Sequence, residues 1–320
     1  MRKSAKTLLI IAAILVGLGL IISAGIMFSY DWDFSKLSTE IYETNTYEVS
    51  GAFDCISIDV DTTEITFVPT DEESCRIVCY ETNTVRHSAT VQNGFLTINT
   101  TDARKWYDHI GIFFGAPKMT VYLPKDKYAD VFIETDTGDI HIPKDFSFNT
   151  LEIDGDTADV DCLASVSEEV KIESDTGDVR MEEITADKAI LSSTTGNITL
   201  TSVAVKSNVA VETDTGKIKL TDVLCRDLQA ESETGNINLK NVIASGRFSI
   251  KTVTGDVNFN GSDAQEIYIE TDTGDVKGTL LSDKIFFTQT DTGRVDVPKT
   301  ITGGRCEIAT DTGDIQIKIK

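Results

Sequence analysis

The sequence predicts an all-β fold: a parallel β-solenoid built from coils of 19–20 residues with two strands per coil, preceded by one N-terminal transmembrane helix. Three observations predict it. The stretch ETDTGDI at Glu134–Ile140 returns in recognisable copies every 19 or 20 residues to the end of the chain. Apolar and polar residues alternate on both sides of its glycine, the period of a strand with one face inward. Residues 7–29, TLLIIAAILVGLGLIISAGIMFS, contain no charge.

That apolar run is long enough to cross about 30 Å of hydrocarbon at ~1.5 Å rise per residue. Arg2, Lys3 and Lys6 precede it, and Asp31, Asp33 and Glu40 follow. The positive-inside rule therefore makes residues 1–6 a cytoplasmic N-terminus and puts the rest outside the membrane. A cleaved signal peptide is the alternative. Ser23-Ala24-Gly25 is a poor cleavage site, and the run exceeds the ~7 to 15 residues of a signal core, which favours an uncleaved signal-anchor. Residues 30–49 read as a polar linker.

Residues 50–130 lack a strict repeat and read as irregular first coils or a cap, which a solenoid needs over its open end. DTTEI at Asp61–Ile65 is a worn copy of DTGDI, and strands are expected at Arg76–Tyr80, Ala89–Asn99 and Lys118–Leu123. The segment KWYDHIGIFFGAP breaks the strand pattern. Its Trp106, Tyr107, Phe113 and Phe114 read as a loop packed on the solenoid end, with a patch that contacts a partner or the membrane as the sharper alternative. Six cysteines in an extracytoplasmic chain raise disulfides. Cys75 and Cys79, spaced by roughly 13 Å along one strand, cannot pair with each other, which leaves Cys55 as a partner for either. No spacing resembles a zinc site.

Residues 131–320 are the regular solenoid. The corner position holds Gly138, Ala158, Gly177, Gly196, Gly216, Gly235, Gly255, Gly274, Gly293 and Gly313. Seven and five residues before it lie apolar pairs such as Val131 and Ile133 or Val170 and Ile172; two and four residues after it lie pairs such as Ile140 and Ile142 or Ile198 and Leu200. The inward parity flips across one residue, so the chain bends there, and glycine is suited to the positive φ such a corner often needs. The position three before the glycine is Ser or Thr in nine of ten copies, and the position one before it is always Thr. By parity both face inward, as a hydrogen-bonded ladder. Cys162 and Cys306 stand in apolar columns and read as small buried hydrophobes; Cys225 lies outside them. Coils stacked in sequence at ~4.8 Å make a rod of roughly 48 Å, closed by the charged strand IQIKIK. Each coil buries about four large side chains worth ~1.5–3 kcal/mol apiece before entropy is subtracted, so stability is shared between neighbours.

The [ST]-x-T-G-[DN]-[IV] repeat behind an N-terminal anchor resembles the bacterial "putative adhesin" family, a β-strand-repeat domain of unknown function found in anchored or secreted envelope proteins. The resemblance covers about residues 50–320. It implies a β-solenoid in an extracytoplasmic bacterial setting, with some relatives near envelope-stress systems, and it implies no catalytic residue. Ala158 in the glycine column and Thr194 and Val253 in the acidic column depart from the pattern.

Function must reside in what the repeat displays. The net charge of −23 excludes nucleic acid and anionic bilayer surfaces as partners of the folded part. Asp136, Asp156, Asp175, Asp272 and Asp311 precede the corner by two residues, and Asp139, Asp159, Asp178, Asp275 and Asp314 follow it by one. Stacked, they form ladders whose rungs repel by roughly 0.9 kcal/mol in water, tolerable without a ligand. These carboxylates are weak Ca²⁺ candidates; the competing reading is a solvated edge in which short Asp side chains bond the turn backbone. Ice binding by the Thr columns is opposed by their inward parity. A polysaccharide-active enzyme would need unlike groups gathered in a cleft, and the even spacing leaves none; His87, His109 and His141 read as scattered surface residues. The sequence therefore reads as a membrane-anchored module without chemistry of its own, binding a protein or glycan or acting as a scaffold, with a solenoid enzyme or an envelope regulator as the alternatives.

Overall fold

The computed structural model describes residues 3–33, 41–105 and 115–320. Helix α1 (Lys3–Ser29) carries the apolar run, and Thr7–Ser29 is long and apolar enough to cross a membrane. Everything after it that is regular is strand, hydrogen-bonded into one continuous β-solenoid.

The first coil is the degenerate one. Strand β1 spans Tyr42–Val49, β2 Cys55–Thr62 and β3 Glu64–Thr70. Then come β4 (Cys75–Thr82), β5 (Val85–Gln92), β6 (Phe95–Asp102), β7 (Lys118–Pro124), β8 (Lys127–Thr137) and β9 (Ile140–Ile142). The worn DTTEI copy is a true corner: β2 and β3 lie parallel on β8 and β9, with Thr62 opposite Thr137 and Ile65 opposite Ile140. On its outer side β6 stacks on β2 and β7 on β3, as a further coil would. The direction then reverses, with β5 antiparallel to β6 and β1 and β7 antiparallel to the two edges of β4. Parallel stacking cannot continue past an antiparallel strand, so this arrangement caps the rod. The stretch Ala89–Asn99, expected as one strand, is a hairpin turned at Asn93 and Gly94, whose φ values of 52° and 83° suit a two-residue hairpin loop. The expected linker 30–49 contains β1.

From β8 onward each coil repeats a strand, the corner and a second strand, in parallel register with its neighbours. The apolar columns are buried as expected, including Cys162 and Cys306, and Cys225 joins them at 8% exposure. All six cysteines are free thiols; Cys55 on β2 and Cys75 and Cys79 on β4 are not on neighbouring strands. A second corner six residues after the glycine has no counterpart in the sequence reading. Glu183, Ser202, Asp222, Asn241 and Gly261 all adopt the left-handed conformation, with φ of 53–64°. The next residue in each case, such as Ile184 or Val203, turns back into the core.

The reason for glycine at the first corner differs from the one expected. Gly138, Gly177 and Gly235 have φ of 145–158°, but the other corner glycines do not share the left-handed region. What all share is crowding: a Cβ on Gly216 would lie 1.9 Å from the carbonyl oxygen of Gly196, and the contact recurs rung by rung. Ala158 escapes because its methyl lies against Gly155, the one residue in the Ser/Thr column that lacks a side chain.

The stack does not follow the chain at its far end. The strand Gly304–Thr312 inserts between Asp263–Thr273 and Lys284–Thr292, and Ile315–Ile319 between Val276–Leu280 and Val295–Asp296. IQIKIK is therefore internal, and the Gly293 coil is outermost. Composition explains the exchange. In the column five before the glycine, where every other copy is aliphatic, the Gly293 coil has Thr288, whereas the final coil has fully buried Ile308. The more polar coil takes the solvent end, and Pro298, which cannot donate to a ladder, releases the connection back.

Two outcomes test this account. Gly216→Ala should destabilise by about 3 kcal/mol or more in urea titration, since neither partner in the clash is a flexible side chain. Ile308→Thr should cost about 2–3 kcal/mol, while Thr288→Ile at the outer coil should leave stability within ~0.5 kcal/mol or raise it.

Candidate functional site

Four files of polar residues run along the glycine corner. The inner one is the Ser/Thr ladder: Ser174, Ser193, Thr213, Ser232, Thr252 and Thr271 are buried and donate to the corner carbonyl of the preceding coil, over 2.9–3.3 Å. The last two follow the exchanged order, with Thr310 bonded to Gly274 and Thr290 to Gly313. The Thr immediately before each glycine behaves otherwise. Thr137 and its equivalents are exposed, because the chain starts to turn two residues before the corner and its parity is lost there. The inward placement expected for that column is corrected: it is an outer file one residue wide, flanked by acidic residues.

The acidic files divide in the same way. Asp136, Asp156, Asp175, Asp272 and Asp311 point into solvent. The residues after the glycine bond the fold itself: Asp139 accepts the N–H of Asp159, Asp159 that of Asp178, Asp178 that of Asn197, and Asp256 that of Asp275. Asp275 does the same for Asp314, and Asp314 for Arg294. The Lys277 ammonium first, and the Asp314 N–H second, hold the Asp275 carboxyl below the usual Asp range; the Arg294 N–H and then its guanidinium do so for Asp314.

A different kind of site lies where the rod ends. Thr63 occupies the corner position of the first coil and keeps a side chain at the first rung of the corner file. Beside it comes His87 from β5, 4% exposed, with Nε2 3.1 Å from Thr63 Oγ1. Its Nδ1 and its own backbone N–H each lie 2.7 Å from Glu81 Oε2, on β4. Glu81 Oε1 accepts from Tyr47 Oη at 2.5 Å and Asn45 Nδ2 at 2.8 Å. Burial pushes the Glu81 carboxyl up, but these donors outweigh it and hold it below its ordinary value. Two residues back on the same face of β4, Cys79 is fully buried, and burial pushes its thiol up to about 12. A cavity of about 220 Å³ opens over Thr63 and His87, walled also by Thr62, Thr82 and Thr100. Thr100 Oγ1, on β6 opposite His87, is the one buried side-chain polar atom among the described residues without a hydrogen-bond partner.

The structure thus corrects His87 from a surface residue to the centre of a buried network. The hydroxyl–imidazole–carboxylate line has the order of a hydrolytic triad, but Thr63 is only 2% exposed and its hydroxyl is turned into the network. His141 sits on the flank, 3.0 Å from Asp161. His109, Trp106, Tyr107, Phe113 and Phe114 lie outside the described residues. A shallow groove on another face is lined by Ala186, Ala204, Val205 and the exposed Leu224. Sequence spacing missed the cap network because its members come from three strands and one is a glutamate.

Stability should fall as pH is lowered through the ordinary Asp range near 3.9, since Asp275 and Asp314 titrate lower folded than unfolded. Thermal melts at pH 5 and pH 3 should differ less in an Asp275→Asn, Asp314→Asn protein than in the parent.

Comparison with known proteins agrees with this fold. A putative adhesin from Parabacteroides distasonis superposes with a TM-score of 0.54 at 14% identity, covering 75% of this chain and 98% of its own. One from Parabacteroides merdae gives 0.52 at 13% identity, covering 75% and 97%. A protein from Parabacteroides distasonis described as a putative lipid binding protein gives 0.50 at 17% identity, covering 77% and 98%. No curated protein matches the sequence. The Toastrack DUF4097 family model matches residues 53–211 and 206–320, nearly the whole of the solenoid, and the chain belongs to that family.

Proposed function

We propose that the protein is a binding or scaffold module of the bacterial cell envelope, anchored by residues 7–29 and displaying its solenoid outside the membrane. The observation that carries this reading is the internal use of the corner polar groups. The hydroxyls of the inner ladder bond carbonyls, and the carboxylates after the glycine bond N–H groups. What is left for the surroundings is an outer file of acids and threonines on a rigid frame, repeated from rung to rung. Such a surface suits contact with an extended partner, a glycan or a protein, and lacks the dissimilar groups that turnover requires. The basic residues before α1 and the acidic ones after it support the orientation. Structural neighbours described as putative adhesins support a binding role.

Two measurements test the reading with the full chain in its own cells. Protease added to intact cells should digest the solenoid and spare α1; protection of the solenoid would overturn the placement. Envelope glycans and surface proteins captured by the displayed chain should be recovered with unchanged mass. Shortened glycans would identify an enzyme and sink the proposal.

A further inference from the structure

We propose that Cys79, Glu81 and His87 form a three-ligand site for one divalent transition-metal ion of the zinc class, which ties strands β4 and β5 of the antiparallel cap to each other. The Cys79 sulfur, a Glu81 carboxylate oxygen and a ring nitrogen of His87 all lie within 4.8 Å of one another, and all three residues are buried. Tetrahedral Zn²⁺ with one sulfur, one nitrogen and one oxygen ligand requires separations of about 3.3–3.6 Å between them, so Nδ1 and Oε2, 2.7 Å apart without the ion, open by about 0.6 Å, and the sulfur closes by at most about 1.5 Å. Thiolate, imidazole and carboxylate are the donor types zinc accepts, and two anionic ligands would cancel the charge of the dication at a buried place.

The surrounding shell fits a metal site better than an isolated ion pair. A ligating histidine normally engages its second nitrogen, and His87 Nε2 faces Thr63 Oγ1. A ligating carboxylate is normally fixed by further donors, and Tyr47, Asn45 and the His87 N–H supply three. The Cys79 thiol has no role in the hydrogen-bonded network, yet it lies at full burial beside a carboxylate. On binding, the Cys79 S–H bond breaks and a sulfur–metal bond forms, with the proton released to solvent. Nδ1 takes the metal in place of Glu81, and the ring proton passes to Nε2, where it is donated to Thr63.

The test uses the full chain in detergent, stripped with chelator and titrated with Co²⁺. One equivalent should bind with a thiolate-to-cobalt charge-transfer band in the near ultraviolet, release about one proton, and be displaced by Zn²⁺, with a Tm that rises with metal concentration. Cys79→Ser should abolish the band while circular dichroism stays unchanged. Thr63→Val, which leaves all three ligands in place, should keep the band and weaken affinity about 10–100-fold. If the wild-type chain takes up no stoichiometric metal, or the band survives in Cys79→Ser, the proposal is overturned and the cluster is a buried hydrogen-bonded pair.

Discussion

The structure depends on how closely one coil's corner approaches the next. The carbonyl of each corner lies where a Cβ on the following rung would sit, so the corner residue must be glycine, or an alanine whose methyl has been given room by Gly155. That proximity organises the rest of the repeat. A hydroxyl three residues earlier can reach the same carbonyl from inside, and a short carboxylate or amide one residue later can reach the next backbone N–H from outside. A longer side chain could not make the second bond without bending back on itself, which accounts for Asp and Asn where Glu would be equally acidic.

A constraint between neighbours leaves a problem at both ends, and the two are solved differently. At the start, Thr63 holds the first corner, and a histidine and a carboxylate from strands running the other way pack beside it. Antiparallel strands blunt the edge, and a buried polar network fixes their position relative to the first coil. At the far end the chain instead orders its coils by how much water each tolerates. The coil with Thr288 in the core column is outermost, leaving Phe287, Val295 and Ile301 exposed, while the more apolar final coil is enclosed.

Charge follows from the same architecture. The acidic file two residues before the glycine is turned to solvent, where its rungs are screened by salt. The file after the glycine is partly neutralised by its bonds to N–H groups and by Lys217 and Arg294 in the same column. An edge of carboxylates also discourages lateral pairing of one rod with another, so the excess of acid serves solubility as well as display.

By itself, the sequence determined the coil. Period-two alternation, the parity flip at the glycine and the 19- or 20-residue spacing are properties of single columns, and each is dictated by burial of one strand face; the solenoid, its inner Ser/Thr ladder and the burial of Cys162 and Cys306 were legible for that reason. The apolar helix was legible because length and hydropathy are local. Tertiary structure alone decided what depends on contacts between columns: that glycine answers to a neighbour's carbonyl more than to its own φ, that the Thr before it turns outward, and that the last two coils trade places. It also decided the cap site, because Cys79, Glu81, His87 and Thr63 become neighbours only when strands reverse direction over the first corner, and no periodic pattern records a reversal.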